Sequence, residues 1–200
     1  MRIVAGAHRG RSLVAPKGHS TRPTADRARQ AMFNILEHAP WSPGLAGLRV
    51  IDLFAGSGAL GLEALSRGAE FCLFADTDPI AAAAIADNIA ALRLEGRTAL
   101  RRWDATRLPS RISSPVSPAL PPQGGETREF DLAFLDPPYG KGLVEPALAS
   151  LLAGGWLSPK ALAVVERGAG EPAPAAAGLE IVDNRAWGAA RAWFMRFRPG

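Results

Sequence analysis

The feature that most constrains the fold is an alternation of short apolar runs with helical patterns, which begins at Leu48. The first runs are only five or six residues long, and they are separated by helix-forming segments such as 58–67 and 79–94. Strands joined by helices run parallel, so the pattern predicts an α/β fold with a doubly wound, mostly parallel sheet of seven strands. The predicted strands cover residues 49–54, 71–75, 98–102, 131–135 and 161–166, and a closing antiparallel hairpin covers 179–184 and 190–198.

A glycine-rich loop connects the first predicted strand to the first helix of this domain. Gly56, Gly58 and Gly61 have the spacing G-x-G-x-x-G. Glycines let the backbone turn tightly and approach a ligand, and the start of a helix supplies amide donors. Dinucleotide-binding proteins use the same spacing, so the neighbouring residues have to select the cofactor.

An acidic residue at the end of the first predicted strand indicates which cofactor binds. A carboxylate at Asp52 would repel a pyrophosphate and attract the ammonium group of S-adenosylmethionine. Asp76 follows Gly56 by twenty residues, which is the spacing of an acid that accepts hydrogen bonds from ribose hydroxyls. Asp104, after the third strand, could reach the adenine amino group. Asp78 and Asp104 also have a purely structural interpretation as helix caps.

The tetrapeptide Asp136-Pro137-Pro138-Tyr139 directly follows the predicted strand 131–135. A carboxylate and a nearby carbonyl can accept both N–H groups of a base amine, so that its lone pair points away from the ring. The two prolines have no N–H and a restricted φ, and they hold these acceptors rigidly. Tyr139 offers a face on which a flipped base can stack. The motif predicts methyl transfer to an exocyclic base amine without a metal; a Pro-Pro turn with a capping Asp136 is the structural alternative.

Positive charge is concentrated at the N-terminus. Residues 1–40 carry seven Arg and Lys against two acids, a net charge of +5, whereas the whole chain has +4 and residues 41–200 therefore sum to −1. The segment 1–43 is predicted to form a hairpin, a loop and a helix over 25–38. We interpret it as a polyanion-binding arm on a catalytic domain at 44–200, although a basic solvated surface has the same charge.

Several functional classes are disfavoured by composition. No apolar run has the length of a membrane span, and the N-terminus lacks the apolar core of a signal peptide, so we expect a cytoplasmic protein. Cys72 is the single cysteine, which excludes an internal disulfide and a cysteine-based metal cluster. Residues 109–128, rich in proline and serine, are predicted to be a flexible surface loop without a chemical role.

The residues quoted so far resemble a known family. Residues 52–69 and Asp136-Pro137-Pro138-Tyr139 are similar to class I methyltransferases of the RsmD type, bacterial enzymes that methylate N2 of a guanine in 16S ribosomal RNA. The N-terminal segments Arg2-Ile3-Val4-Ala5-Gly6, Arg9-Gly10-Arg11 and Arg22-Pro23-Thr24-Ala25-Asp26-Arg27-Ala28-Arg29 are typical of this family. Two features depart from it: Asp76 stands where glutamate is the common choice, and the proline-rich insert at 109–128 is unusually long.

The resemblance implies a role for each matching residue. It places the methionine part of S-adenosylmethionine at Asp52, Phe54, Ala55, Gly56, Ser57 and Gly58. It places the ribose at Asp76 and Thr77 and the adenine at Asp104 and Ala105. Arg22 and Thr24 belong to an arm loop that closes over the site, and Arg9, Arg11, Arg27 and Arg29 are candidates for RNA phosphates. The implied partner is 16S ribosomal RNA or the small ribosomal subunit, and we expect a monomer.

Three other functions compete with this one. An adenine-N6 DNA methyltransferase would use the same tetrapeptide, but 200 residues leave no room for a separate target-recognition domain. An NAD-dependent oxidoreductase would use the glycine spacing, and Asp52 and the prolines disfavour it. A nucleic-acid-binding module that has lost catalysis is disfavoured by the intact Asp136 and glycine loop.

Overall fold

The structure is a computed structural model that describes residues 1–16, 23–111 and 128–199, without the side chains of residues 23–25. Arg22, the side chain of Thr24 and nearly all of the predicted 109–128 loop lie outside the described residues. The helices are α1 (Pro23–His38), α2 (Ala59–Ser66), α3 (Pro79–Leu92) and α4 (Val144–Ala153). The strands are β1 (Arg49–Leu53), β2 (Phe71–Ala75), β3 (Thr98–Arg101), β4 (Phe130–Leu135), β5 (Leu157–Gly168), β6 (Leu179–Trp187) and β7 (Ala190–Phe197).

The seven strands form one sheet in the order β3-β2-β1-β4-β5-β7-β6. The first five are parallel, and β7 lies antiparallel between β5 and β6. The predicted doubly wound, mostly parallel sheet and its closing hairpin are therefore confirmed. Among the described residues, no helix is both long and apolar enough to cross a membrane.

The largest differences from the sequence prediction are in α4 and β5. Helix α4 was not predicted, although Val144, Ala147, Leu148 and Leu151 are buried at helical spacing. Strand β5 begins at Leu157 instead of residue 161. Its first half contains a proline and a left-handed Lys160, which interrupt the apolar pattern that marks a buried strand.

The central strands are buried because helices cover both faces of the sheet. All five residues of β1 are buried; Val50 belongs to one apolar cluster, and Ile51 and Leu53 belong to the other. Residues of α4 pack in one cluster, and residues of α1, α2 and α3 pack in the other. This arrangement explains why the parallel strands are apolar runs and do not alternate with polar residues.

The N-terminal arm is part of this core. Ile3, Leu13 and Phe33 belong to the same cluster as α2 and α3, and the Phe33 ring lies 5.5 Å from that of Phe134 in β4. The fully buried Glu63 carboxylate of α2 accepts hydrogen bonds from the amides of Val4 (2.7 Å) and Ala5 (3.0 Å). Within residues 1–16, the predicted hairpin is present as a turn with one isolated β-bridge, between Arg2 and Ser12.

Gly6 brings the turn of the arm into direct contact with α2. Its φ is +80°, and a Cβ atom there would lie 1.9 Å from the Ser66 carbonyl oxygen. The Ala7 amide donates to the same oxygen at 2.8 Å. A side chain at position 6 would therefore separate the arm from the helix.

We expect Gly6→Ala to lower the free energy of unfolding by about 3 kcal/mol or more, because it adds overpacking to a left-handed backbone. Gly10→Ala is the matched control. Gly10 has a φ of +83°, but no atom lies within 4 Å of the added Cβ, so only the backbone cost of about 1–2 kcal/mol applies. Equal losses for the two variants, measured by chemical denaturation, would contradict the close packing.

Candidate active site

The predicted site residues meet at one edge of the sheet because the strands that carry them are parallel. The register pairs the last residue of β1, Leu53, with Ala75 of β2 on one side and with Leu135 of β4 on the other. The glycine loop, Asp76 and Asp136 follow these three strand ends. Asp104 follows β3, the next strand outward. Ligands of doubly wound sheets bind at this edge.

The glycine loop has an unusual backbone. Phe54, Gly56 and Gly58 have φ angles of +59°, +57° and +76°. A left-handed conformation at a residue such as phenylalanine costs about 1–3 kcal/mol and is typical of functional sites. The Gly58 amide donates to the Ala55 carbonyl at 2.7 Å. This hydrogen bond closes a tight turn just before α2 begins.

Asp76 connects this loop to the end of β2. Its two carboxylate oxygens accept hydrogen bonds from the amides of Gly56 (2.8 Å) and Asp78 (2.9 Å). Each carboxylate oxygen can accept a second hydrogen bond, so these contacts leave capacity for hydroxyl groups. The half-buried aspartate, where the family commonly has glutamate, therefore has a structural role in addition to the predicted contact with ribose.

Two acids at this edge act as helix caps. Asp78 caps α3 by accepting from the Ile80 amide at 2.8 Å. Asp104 caps a 3₁₀ turn through Thr106, from its amide at 2.9 Å and its hydroxyl at 2.7 Å, and the hydroxyl and amide hydrogen bonds lower the pKa of Asp104. Both residues therefore act as caps, and contact of Asp104 with adenine stays a prediction. Asp104 remains exposed and ionised, while the next residue, Ala105, is buried.

Asp52 is buried beneath the loop. Its Oδ2 accepts a hydrogen bond of 2.9 Å from the Gly61 amide in α2. Burial raises the pKa of Asp52 to about 8, the Gly61 hydrogen bond opposes this shift, and the charge of Asp76 adds to it. A cation bound nearby would offset both the lost hydration of the Asp52 carboxylate and its repulsion by Asp76.

The tetrapeptide 136–139 forms the other side of the edge. Asp136 is exposed at the end of β4, but the protein packed around it still replaces part of the water near its carboxylate. This desolvation raises the pKa of Asp136, and the charges of Glu166 and Asp52 raise it further. Asp136 is consequently a better proton acceptor than an ordinary aspartate.

Tyr139 is fixed by an acid that the sequence analysis missed. The Tyr139 hydroxyl donates to Glu166 Oε1 at 2.6 Å, while 45% of the residue remains exposed. Burial raises the pKa of Glu166, although the hydrogen bond from Tyr139 lowers it. Glu166 was the last residue of a predicted parallel strand, so its position at the ligand edge could have been inferred.

A cavity of about 400 Å³ opens beside Tyr139. Its walls are the chain between β4 and α4 and the end of β5. Glu171 joins these walls, because its Oε1 accepts from the amides of Gly140 (3.2 Å) and Gly168 (3.1 Å). Arg167 and Glu145 form an ion pair across them. Pro137, Pro138 and Tyr139 therefore line a pocket whose walls are held together by these contacts.

The four arginines proposed for RNA have different environments. Arg9 and Arg27 are exposed. Arg11 is also exposed and donates to the Ala91 carbonyl at 3.0 Å. The prediction for Arg29 is wrong: the residue is buried, donates to the Arg2 carbonyl and pairs with Asp26 at 2.8 Å. Its guanidinium holds the arm and is not available to a phosphate.

The exposed arginines also lie at different distances from the ligand edge of the sheet. The turn that carries Arg9 docks on Ser66, the last residue of α2, where the Ser66 hydroxyl accepts from the His8 amide. Arg11 reaches Ala91, near the end of α3. Both helices begin at the ligand edge, so Arg9 and Arg11 lie at the opposite end of the domain. Arg27 lies in the first half of α1.

The described residues contain no group of three or more His, Cys, Asp or Glu side chains that could hold a metal ion. Thr77, the remaining predicted cofactor residue, is exposed beside Asp76.

Comparison with known proteins gives consistent matches. The family model described as conserved hypothetical protein 95 matches residues 1–196. Ribosomal RNA small subunit methyltransferase D of Escherichia coli (strain K12) is 34% identical over 166 residues, which cover 83% of this chain and 74% of that protein. The candidate rRNA methyltransferase YlbH of Bacillus subtilis (strain 168) is 41% identical over 139 residues, 70% of this chain and 67% of that one. The structure of yhhF, a candidate methyltransferase from Escherichia coli, has a TM-score of 0.77 and 28% identity over 100% of this chain and 99% of that one.

We expect the stability of the protein without ligand to depend on the titration of Asp52. The folded protein retains the Asp52 proton up to about pH 8, whereas the unfolded chain loses it near the ordinary value of 3.8. The folded state therefore binds more protons, and this contribution to the free energy of unfolding falls as the pH rises through that window. Asp52→Asn removes the titration and keeps an acceptor for Gly61.

Denaturation of both proteins between pH 5 and pH 8 tests this expectation. The stability of Asp52→Asn relative to the wild type should increase with pH by up to about 1.4 kcal/mol per unit. Parallel stability curves for the two proteins would show that Asp52 is already ionised at pH 5.

Proposed function

The chain belongs to the family described as conserved hypothetical protein 95, the RsmD-type methyltransferases, and we propose that it transfers a methyl group from S-adenosylmethionine to N2 of a guanine in 16S ribosomal RNA. The observation that carries the proposal is the adjacency of β1 and β4. It places the glycine loop and Asp136 at neighbouring strand ends, as transfer between a bound donor and a bound base requires.

The residues at the glycine loop fit S-adenosylmethionine. Asp52 is a buried acid with a raised pKa, which favours a cationic ligand over a pyrophosphate. Asp76 has acceptor capacity for ribose hydroxyls, and the ionised Asp104 suits an amino group such as that of adenine. When bound, the cofactor supplies an electrophilic methyl group on a sulfonium.

The side chain of Ile80 adds an apolar surface to this region. Ile80 lies at the start of α3, two residues after the cap Asp78, and is 53% exposed. An exposed isoleucine at the ligand edge offers a contact for the flat face of adenine. The sequence analysis did not single it out, because an apolar residue in a helix is normally part of the core.

The tetrapeptide activates the acceptor amine by hydrogen bonding. The Asp136 carboxylate and a neighbouring backbone carbonyl accept the two N–H groups, which turns the nitrogen lone pair away from the ring. The nitrogen becomes cationic as it gains the methyl group, and Asp136 then accepts the released proton. Its raised pKa suits this task.

The aromatic ring on which the flipped base would stack is already held in position. The Tyr139 ring is exposed for stacking, and its hydroxyl is fixed by Glu166. Stacking on an aromatic side chain is worth about 1–3 kcal/mol per base. The surrounding cavity of about 400 Å³ is large enough for a flipped purine.

Two observations favour ribosomal RNA as the substrate. The relatives in Escherichia coli and Bacillus subtilis carry ribosomal RNA in their names, and the first of them is assigned to the small subunit. The basic N-terminal arm of this chain adds the charge that a polyanion requires. The tetrapeptide alone supports only a base amine, and the substrate assignment depends on these two additions.

Identification of the methylated nucleoside tests the proposal. Protein incubated with labelled S-adenosylmethionine and small-subunit RNA, naked or in the assembled particle, should yield N2-methylguanosine after digestion. Asp136→Ala is the matched control and should lower the rate at least 100-fold, because it removes the acceptor of the amine, while cofactor affinity is retained. Labelled N6-methyladenosine, or labelling of duplex DNA without RNA, would replace guanine N2 as the target.

The arm should contribute to RNA affinity through charge. We expect Arg9→Gln combined with Arg27→Gln to lower the slope of log affinity against log salt by roughly 1–2, because each phosphate contact releases about one counterion. Arg198→Gln is the control, since Arg198 is exposed and pairs with Glu180 on the outermost strand. An unchanged slope in the double variant would exclude these two arginines from the interface.

A further inference from the structure

One buried side chain contacts both the N-terminal arm and the glycine loop. Asn88 lies in α3 and is 1% exposed. Its Oδ1 accepts a hydrogen bond from the Val14 amide at 2.8 Å. Its Nδ2 donates to the Val14 carbonyl at 2.9 Å and to the Ser57 carbonyl at 3.0 Å. Both N–H groups and the oxygen of the amide are thereby used, across segments far apart in sequence.

These contacts fix the orientation of a peptide unit in the loop. The Ser57 carbonyl and the Gly58 amide belong to the same planar peptide, so an acceptor bond to one sets the direction of the other. The Gly58 amide donates to Ala55 within the loop. Asn88 therefore controls the peptide at the point where the loop becomes α2.

The N-terminal arm also contacts Ser57 directly. The Ser57 hydroxyl contacts Met1 Sδ at 3.5 Å, and the Leu13 amide donates to the Met1 carbonyl at 3.0 Å. The open end of the hairpin thus lies against the glycine loop. Its turn is anchored separately on Ser66, at the other end of α2.

We propose that Asn88 is a positioning residue that couples docking of the N-terminal arm to cofactor binding at the glycine loop. The proposal rests on the proposed cofactor site. When the arm is docked, Val14 holds the Asn88 amide in the orientation that Ser57 requires. By reciprocity of linked equilibria, a cofactor that binds the ordered loop stabilises the docked arm to the same extent.

The coupling joins the two halves of the proposed function. The arm carries the charges that we assign to RNA, and the loop carries the cofactor. Cofactor binding would therefore strengthen the docking of the RNA-binding surface.

Three variants isolate the coupling. Asn88→Ala removes all three hydrogen bonds. Val14→Pro removes the Val14 N–H and leaves Asn88 and the loop intact, at a position where the side chain is 53% exposed. Val14→Ala keeps the amide and is the matched control. Affinity for S-adenosylmethionine is measured by calorimetry, and amide exchange of residues 2–14 is measured with and without the cofactor, well below the unfolding temperature of each variant.

The expected result is an affinity at least fivefold weaker for both Asn88→Ala and Val14→Pro, with wild-type affinity for Val14→Ala. Turnover at saturating cofactor should change by less than about twofold. Cofactor should slow the exchange of the Ile3 and Leu13 amides in the wild type, and this protection should disappear in the two disruptive variants.

Other outcomes overturn the proposal. If Asn88→Ala weakens affinity and Val14→Pro does not, Asn88 supports the loop alone and the arm is not coupled to it. If both variants lose only thermal stability, the contacts are purely structural. Should Asn88→Ala fail to fold, Val14→Pro decides by itself. A wild-type protein that does not bind S-adenosylmethionine would refute the proposed function, which is a separate result.

Discussion

The hydrogen bond from the Gly61 amide to the buried Asp52 carboxylate ties β1 to α2, and the rest of the site is built on that pair. Gly61 can approach the sheet because it has no side chain: a Cβ atom there would lie 2.4 Å from the Phe74 ring. The glycine loop leads directly into the start of α2. The second half of this helix carries Glu63, which holds the arm. One short helix therefore positions both the ligand edge and the N-terminal segment.

The carboxylates of Glu63, Asp52 and Asp136 have two different environments. Glu63 is surrounded by cations, with Arg67 Nε at 2.8 Å and Arg29 Nε at 3.9 Å. Asp52 and Asp136 are influenced mainly by burial and by other acids, and the pKa of each is raised. Paired charges stabilise the packing of the arm, whereas the ionised forms of the mutually repelling acids at the ligand edge are stabilised when a cation or an N–H donor binds nearby.

Much of the fold could be predicted from the sequence because it depends on short-range patterns of residues. Apolar runs, turn residues and parallel connections predict the sheet and the edge at which the ligands meet. Arg29 was misassigned because its charge was considered without its helical phase. Residues 29, 32, 33 and 36 share the spacing of a buried helix face, and Met32, Phe33 and Leu36 are core residues. Asn88 could not be recognised, since its three partners come together only through tertiary packing.

The position of the arm constrains the size of any RNA that it contacts. Helix α3 has 14 residues and is about 21 Å long, so Arg11, which reaches Ala91, lies well away from the ligand edge where the helix starts. A single nucleotide in the crevice could not contact Arg9 or Arg11. Phosphate contacts at both ends of the domain require a structured or extended RNA. Substrate selection would then depend on RNA shape along the arm, and the tetrapeptide would contribute only the chemistry of the amine.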